Sequence, residues 1–164
     1  MNIRNNARAI IINPEEQILL LKLVKGTVID PSGRIKLPYW LTPGGGIKAN
    51  EDLSQAVARE IYEECGITGV HIGPKVWFCE HELVISGLPI LSRDHYFWVR
   101  TADSYVSDDG MLPYEREVYS EFRWWTIPEI QASAETFAPS NLGDLLEDLL
   151  KQDIEDMRVT SISW

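Results

Sequence analysis

The stretch GGIKANEDLSQAVAREIYEECGI, residues 45–67, predicts a helix with more negative charge than a purely structural helix ordinarily carries. Glu60, Glu63 and Glu64 lie within about one and a half helical turns, where like charges repel one another. A helix of this kind needs a partner for its carboxylates. This requirement constrains the chain more than any other feature of its sequence.

A helical wheel places one of the three glutamates on the wrong face. The apolar side of the helix is formed by Leu53, Val57, Ile61 and Cys65. Glu64 lies among these residues, Glu60 lies at their edge, and Glu63 lies on the polar side. Because an unpaired carboxylate facing the core is costly, Glu64 must be either protonated or bound to a cation. Clustered carboxylates suit Mg²⁺ or Mn²⁺.

The glycine run before this helix, Gly44–Gly46, can bring backbone groups close to an ion or a phosphate, because no side chain stands in the way. The formal net charge of the chain is −10, which argues against binding duplex nucleic acid or an anionic membrane by general electrostatics. A polyphosphate substrate would also be repelled unless a bound cation reversed the local field.

Strand-like runs precede and follow the helix. ARAIII and QILLLKL predict a hairpin, and VWFCEHELVIS and DHYFWVRT predict an antiparallel pair. VYSEFRWWTI predicts a strand, PEIQAS a short helix, and SNLGDLLEDLLKQ an amphipathic packing helix. The polar segments KGTVIDPSGRIK and ADSYVSDDGMLPYERE predict loops. This order indicates an α/β (α+β) fold around a mixed sheet.

The length of 164 residues predicts one domain over 1–164, with a core of about 3–150 and a tail, 151–164, that no pattern places. The glutamate-rich helix should begin near Asn50 and end at Gly66. Cys65 and Cys79 form no CxxC motif and predict buried thiols. With no signal-peptide pattern and no apolar run long enough to span a bilayer, a cytoplasmic monomer or homodimer without membrane contact is expected.

The spacing within residues 45–67 also matches a known motif. In order, the chain has Gly45, five residues, Glu51, seven residues, Arg59-Glu60-Ile61, one residue, Glu63-Glu64, one residue, and Gly66-Ile67. This pattern resembles the Nudix box, GX5EX7REUXEEXGU with U a bulky aliphatic residue, at every specified position. The approach from Trp40 to Gly45 and the segment EFRWWTIPEI resemble the layout of a Nudix domain more loosely.

The resemblance implies an α/β/α sandwich with a central mixed sheet. It also implies Mg²⁺- or Mn²⁺-dependent hydrolysis of a nucleoside diphosphate linked to another moiety, a small-molecule substrate of nucleotide type. An alternative is a catalytically silent Nudix domain that senses nucleotides or binds a protein. Such modules usually lose one or more of the box carboxylates, whereas this sequence retains all of them.

Carried over to this chain, the resemblance makes Glu60, Glu63 and Glu64 catalytic metal ligands, with the carbonyl of Gly44 or Gly45 as a further ligand. Arg59 should orient the glutamates through charge-assisted hydrogen bonds, and Glu51 should support them near the helix start. Many family members use a further glutamate beyond the box as ligand or general base. The candidates are Glu115, Glu117 and Glu121, with Glu117 or Glu121 favoured.

The sequence has neither of two marker residues that identify the substrate in some Nudix subfamilies. The positions that carry a marker proline in ADP-ribose hydrolases, or a marker tyrosine in dinucleoside polyphosphate hydrolases, fall in the segment 82–85 and hold neither. Tyr39, Trp40 and Phe97 are candidates for stacking on a base, although packing within the sheet is the more ordinary role for strand aromatics. His81 is likewise either a substrate contact or an ordinary packed histidine.

Overall fold

Runs of β-branched and aromatic residues form the long strands of the fold. The computed structural model describes residues 1–164. The strands are β1 (Asn2–Ile12), β2 (Ile18–Leu23), β3 (Val28–Ile29), β4 (Tyr39–Leu41), β5 (Gly44–Gly46), β6 (His71–Ile85), β7 (Leu88–Arg100), β8 (Tyr119–Trp125), β9 (Phe137–Ala138) and β10 (Thr160–Ser161). The helices are α1 (Leu53–Cys65), α2 (Pro113–Val118), α3 (Ile127–Ala132) and α4 (Leu142–Leu150), followed by a 3₁₀ turn, Ile154–Asp156.

The strands form one mixed sheet in the order β10-β6-β7-β1-β2-β4-β9, with β3 beside β6, β5 beside β1 and β8 beside β2. β1 runs parallel to β7 along its whole length, from Asn2 opposite Ile90 to Ile12 opposite Arg100. β10 is parallel to β6 and β9 is parallel to β4, whereas the other pairs are antiparallel. The α/β/α sandwich with a central mixed sheet is thereby confirmed.

The two predicted hairpins differ in extent. β6 and β7 pair over most of their length, joined at Ser86 and Gly87, whose φ angles of 50° and 81° suit a tight turn. The first hairpin consists of Ile12 opposite Ile18 alone, because β1 pairs with β5 and β7 along the rest of its length.

α1 begins at Leu53, later than the predicted Asn50. Asp52 caps the helix by accepting a hydrogen bond from the Gln55 amide at 2.8 Å, and Gln55 Oε1 accepts one from the Asp52 amide at 2.9 Å. The helix ends at Gly66, as predicted, with a left-handed φ of 68°. Its apolar face packs against β1 and β5, so its carboxylates lie next to the glycine strand.

Three segments differ from the sequence-based expectation. The predicted loop before β4 contains β3, whose Val28 lies opposite Ile85 of β6. The predicted loop after β7 ends in α2, with Pro113 in its first turn. The unplaced tail contains β10, with Thr160 opposite Trp77. Elements of two to six residues are too short for hydrophobic periodicity to show them.

The remaining helices agree with their predictions. α3 is capped by the side chain of Thr126, and α4 buries Leu142, Leu146 and Leu149. A Cβ on Gly143 would lie 2.8 Å from Gln131 Cγ, so the glycine permits the close approach of α3 and α4. Both cysteines are buried and free, as predicted. None of the four helices combines the length and the hydropathy that a membrane-spanning helix requires.

Candidate active site

The carboxylates of α1 are largely withdrawn from solvent. Glu64 is 1% exposed and Glu60 is 8% exposed, in agreement with their places on the helical wheel. Glu64 Oε1 accepts a hydrogen bond from the Gly44 amide at 2.7 Å, which joins the glycine strand to the helix. This is the only hydrogen bond that the Glu64 side chain receives from the protein, so most of its acceptor capacity is left for a ligand.

A third carboxylate joins Glu60 and Glu64 from α2. Oxygen atoms of Glu60, Glu64 and Glu115 lie within 4.8 Å of one another, and we call these three residues the carboxylate cluster. Glu115 is 8% exposed, and its Oε1 accepts a hydrogen bond from the Leu112 amide at 2.9 Å. Glu63 is not part of the cluster, because its half-exposed side chain turns toward Lys48 and Arg59.

The preference for Glu117 or Glu121 over Glu115 is corrected by this arrangement. Glu117 is exposed, because it lies two residues from Glu115 and therefore on the opposite side of α2. Glu121 is exposed on β8, opposite Lys22. Neither belongs to the carboxylate cluster. Sequence spacing does not separate these three glutamates reliably, whereas the position of α2 distinguishes them.

Arg59 connects the helix start to the cluster. Its Nε and Nη2 donate to both carboxylate oxygens of Glu51, at 2.7 and 2.9 Å, a bidentate pair. Its Nη1 donates to Glu60 at 2.8 Å and to Glu63 at 3.2 Å. Nη2 also donates to the Gly46 carbonyl at 3.0 Å. The Arg59 guanidinium therefore binds three glutamates of the box and joins them to the glycine strand.

The glycine strand approaches this site so closely that a side chain would not fit. A Cβ on Gly45 would lie 2.7 Å from Glu60 Oε1, and one on Gly44 would lie 2.2 Å from the Ala7 carbonyl oxygen. Gly44 also has a φ of 150°, which other residues rarely adopt. Both glycines are therefore required by the geometry around the carboxylates.

Burial and mutual repulsion make ionisation of Glu60 and Glu64 unfavourable. Burial, followed by the charge of Glu60, raises the pKa of Glu64 to about 8, against the opposing effect of the Gly44 amide. Burial also raises the pKa of Glu60, although the hydrogen bond from Arg59 opposes it. Buried oxygen donors that repel one another when ionised have the chemistry of a site for Mg²⁺ or Mn²⁺. The carboxylate cluster thus fits a divalent cation.

The cluster opens into a cavity of about 650 Å³. Its polar lining includes Asn6, Arg8, Gly45, Glu60, Glu63, His81, Ser92, Asp94 and Glu115. Its apolar and aromatic lining includes Leu23, Val28, Tyr39, Leu41, Leu83, Ile85, Tyr114, Tyr119 and Trp164. A cavity of this size, with apolar walls and a few polar groups, is typical of small-molecule sites.

Of the three predicted stacking residues, only Tyr39 lines the cavity. Trp40 points to the other face of β4 and is 2% exposed, packed edge-on against Trp125 with ring centroids 5.1 Å apart. Phe97 is also absent from the lining, because on β7 it faces the side opposite Asp94. Trp40 and Phe97 are core residues, so the expectation that they bind substrate is wrong.

A buried polar network forms the floor of the cavity, and it was not predicted from the sequence. Asp94 is 1% exposed and accepts hydrogen bonds from Asn6 Nδ2 and His81 Nε2, both at 2.8 Å. The Arg8 guanidinium is 3.9 Å from Asp94 and 3.4 Å from the carbonyl oxygens of Thr42 and Gly44. Alternating polar residues in β1, at positions 4, 6 and 8, are the signal that indicates this polar face.

The fold resembles solved structures with low sequence identity, a likeness that concerns the fold alone. A MutT protein from Methanosarcina mazei Go1 superposes with a TM-score of 0.62 at 22% identity, covering 92% of this chain and 97% of the other. The NUDIX domain of Shewanella oneidensis NrtR, complexed with ADP ribose, has a TM-score of 0.60 at 15% identity, covering 92% and 90%. A C. elegans Ap4A hydrolase has a TM-score of 0.57 at 19% identity, covering 90% and 96%.

One curated relative, diphosphoinositol polyphosphate phosphohydrolase 2 of Rattus norvegicus, is 50% identical over 30 residues. That match spans 18% of this chain and only 17% of the relative's length. A family model, in contrast, matches most of the chain: the NUDIX domain model aligns with residues 2–148. Together with the complete motif on α1 and the glycine strand that meets it, this match shows that the chain belongs to the Nudix family.

Proposed function

We propose that this protein is a Mg²⁺- or Mn²⁺-dependent pyrophosphohydrolase that cleaves a nucleoside diphosphate linked to another moiety. The observation that carries the proposal is the carboxylate cluster, whose oxygens lie within 4.8 Å of one another at the wall of a cavity of about 650 Å³. Glu60 and Glu64 of the cluster are the proposed metal ligands from the box, with a carbonyl of Gly44 or Gly45, and Glu63 would have to turn from Lys48 and Arg59 to join them. Family membership supports the same reaction class.

A bound divalent ion supplies the positive charge and Lewis acidity that hydrolysis of a diphosphate requires in so acidic a protein. The chain's own residues prepare the site. Arg59 holds Glu51, Glu60 and Glu63 in place, so that few side-chain rearrangements accompany substrate binding. The Gly44 amide fixes one oxygen of Glu64. Glu115 is the proposed base, which accepts a proton from the attacking water.

A nucleotide-type substrate is favoured by the rest of the cavity. Two structural neighbours are a domain complexed with ADP ribose and an Ap4A hydrolase, and both compounds are nucleotide derivatives. Diphosphoinositol polyphosphates, named for the curated relative, consist of a densely phosphorylated ring. Such a ring would need a pocket with a strong excess of positive charge, whereas the five basic residues lining this cavity, Arg4, Arg8, Lys25, Lys48 and Arg59, face four acidic ones, Glu60, Glu63, Asp94 and Glu115, beside an extensive apolar wall.

The proposal is tested by a hydrolysis screen in the presence of Mg²⁺ and of Mn²⁺. The panel contains nucleoside triphosphates, including oxidised ones, together with nucleotide sugars, ADP-ribose, dinucleoside polyphosphates and a diphosphoinositol polyphosphate. We expect metal-dependent release of a nucleoside phosphate from at least one nucleotide derivative. Binding of nucleotides without any product across the panel would instead identify a catalytically silent sensing module.

The control for this screen is Glu64→Gln. Glutamine keeps the acceptor for the Gly44 amide but removes the charge, so the fold should persist. Charge stabilisation by a metal is worth several kcal/mol, so we expect turnover to fall by about 100-fold or more. Glu121→Gln, at an exposed position outside the cluster, should retain wild-type turnover. Unchanged turnover of Glu64→Gln with Mg²⁺ would refute the proposed site.

A further inference from the structure

The segment that follows the matched family domain returns to the cavity. The family model ends at residue 148, and the chain continues through the 3₁₀ turn and β10. β10 pairs in parallel with β6, and the Ile162 amide donates to the Phe78 carbonyl at 2.9 Å. Two residues later, Trp164 lies in the cavity wall. The pairing of β10 with β6 therefore places an aromatic residue from outside the matched domain in the cavity wall.

Trp164 is held in place by aromatic contacts on two sides. Its ring stacks on His81, with centroids 4.1 Å apart and an interplanar angle of 14°. It meets Tyr39 edge-on, with centroids 6.1 Å apart and an angle of 84°. Trp164 is 8% exposed, so its ring is fixed by packing. All three residues line the cavity, and together we call them the aromatic wall.

The polar network below fixes the orientation of the aromatic wall. His81 Nε2 is 2.8 Å from Asp94 Oδ2. The pKa of Asp94 is lowered because, although burial alone would raise it, the hydrogen bond from His81 and the charge of Arg8 outweigh burial. Asp94 is therefore ionised and can only accept, so His81 Nε2 carries the proton. His81 Nδ1 is buried and has no hydrogen-bond partner in the protein.

His81, one member of the aromatic wall, lies three strands away from the glycine strand that borders the carboxylate cluster. Gly46 of β5 lies opposite Asn6 of β1, Asn6 lies opposite Asp94 of β7, and Asp94 lies opposite Cys79 of β6. His81 is the next residue of β6 on the same face as Cys79. Three strand spacings, roughly 14 Å, therefore separate the glycine strand from β6. A substrate whose diphosphate is held at the cluster would reach His81 through the group attached to that diphosphate.

We propose that Trp164 is a specificity-determining residue, which with Tyr39 and His81 binds the planar heteroaromatic base of the substrate. This inference rests on the proposed function, because it places the diphosphate at the carboxylate cluster. The wall consists of flat rings, which suit a nucleobase and offer little to a sugar or a cyclitol phosphate. Because Trp164 lies beyond residue 148, where the family model ends, substrate choice would be determined here by a segment outside the matched domain.

The test measures equilibrium binding, so that it does not depend on turnover. The purified protein, residues 1–164, is titrated calorimetrically with a nucleoside monophosphate, and separately with ribose 5-phosphate, which lacks a base. The variants are Trp164→Leu, which keeps apolar bulk, and Trp164→Phe, which keeps an aromatic ring. Trp124→Leu is the matched control, because Trp124 does not line the cavity.

We expect Trp164→Leu to weaken binding of the nucleoside monophosphate by about tenfold or more, since loss of one base–aromatic stack has this effect. Trp164→Phe should recover most of the affinity, and Trp124→Leu should bind as the wild type does. Ribose 5-phosphate should bind equally weakly to all four proteins. In saturation-transfer NMR on the wild-type protein, the base protons should receive more saturation than the ribose protons.

Four results would overturn the inference. Wild-type affinity in Trp164→Leu would show that the residue does not contact the base, and tighter binding would show that it obstructs the cavity. An equal loss for both ligands would show a general structural role. If Trp164→Leu does not fold, weak saturation of the base protons in the wild-type protein would still refute the proposal. Absence of hydrolysis would disprove the proposed function while leaving these binding measurements interpretable.

Discussion

Buried carboxylates lie at both ends of the cavity, but their pKa values are shifted in opposite directions. At the carboxylate cluster, burial and like charges raise the pKa of Glu64 to about 8. At the floor, hydrogen bonds from Asn6 and His81 and the nearby Arg8 hold the pKa of Asp94 below its usual value, despite burial. The difference teaches that burial alone does not define a metal site. A carboxylate already satisfied by the protein is structural, and one left unsatisfied is available to a ligand.

The largest effect is expected at the cluster, where Glu115→Gln removes the proposed base. Turnover should fall by about 10²–10⁴-fold, the usual contribution of a general base. Glu117→Gln is the matched control, because it changes an exposed neighbour on the same helix, and it should stay within about twofold of the wild type. Steady-state rates with Mg²⁺ measure both. A greater loss in Glu117→Gln would show that the position of α2 misidentifies the base.

The next effect is on stability, at the other end of the cavity. Asp94→Ala leaves Arg8, Asn6 and His81 without their shared acceptor, and should lower the free energy of unfolding by about 3–5 kcal/mol. Urea denaturation at neutral pH measures it. Asp94→Asn, which keeps an acceptor, should lose less. If Asp94→Ala is as stable as the wild type, the two ends do not differ in the way described.

A pair of adjacent glycines tests how tightly the cluster is built. In Gly45→Ala the new Cβ would lie 2.7 Å from Glu60 Oε1, so the carboxylate must move, and we expect turnover to fall by about 10–100-fold. In Gly46→Ala the nearest atom is the flexible Arg4 side chain at 3.4 Å, so turnover should change little. Equal losses in the two variants would indicate a general distortion of the strand.

The smallest effect concerns the pH dependence of stability in metal-free protein. Glu64 ionises near pH 4.5 when unfolded and near pH 8 when folded, so between these values the folded state binds the extra proton and stability falls as pH rises. Asp94 has the opposite sign: its contribution is present above its unfolded pKa of 3.8 and is lost as pH falls through its lower folded pKa.

Thermal denaturation in EDTA should therefore give a lower Tm at pH 8.5 than at pH 6, by roughly 3 °C or more, since about 1 kcal/mol corresponds to 2–4 °C in a domain of this size. Glu64→Gln should flatten this dependence and raise the Tm at pH 8.5. Addition of Mg²⁺ should raise the wild-type Tm at pH 8.5 by binding the ionised cluster. A Tm that rises with pH in EDTA would contradict the assignment of Glu64.

Much of the cluster could be predicted from the sequence, because a helix converts sequence spacing directly into position. The wheel identifies Glu64 as the carboxylate on the core-facing side, and the structure places it there with 1% exposure. Glu51 lies just before α1, and Arg59 lies eight residues later within that helix. The contact between the two side chains therefore follows from the spacing of the motif. The elements with long, clear periodicity, α1, α4, β6 and β7, were predicted for the same reason.

The errors have a common cause. Trp40 and Tyr39 are neighbours in sequence, but a strand points them to opposite faces, and which face borders the cavity depends on what packs there. The sequence favoured Glu117 or Glu121, whereas the position of α2 brings Glu115 into the cluster. The cavity floor joins His81 and Asp94 of the β6–β7 hairpin to Asn6 of β1, which lies 88 residues before Asp94 in the chain.

The sequence by itself therefore determined the family motif, the helix that carries it and the carboxylate that the helix buries, because these depend on local spacing along one element. Only the tertiary structure decided which glutamate completes the cluster, which aromatic residues face the cavity, and that residue 164 returns to it. These features depend on strand pairing between distant segments, and pairing partners are determined by the packing of the whole sheet.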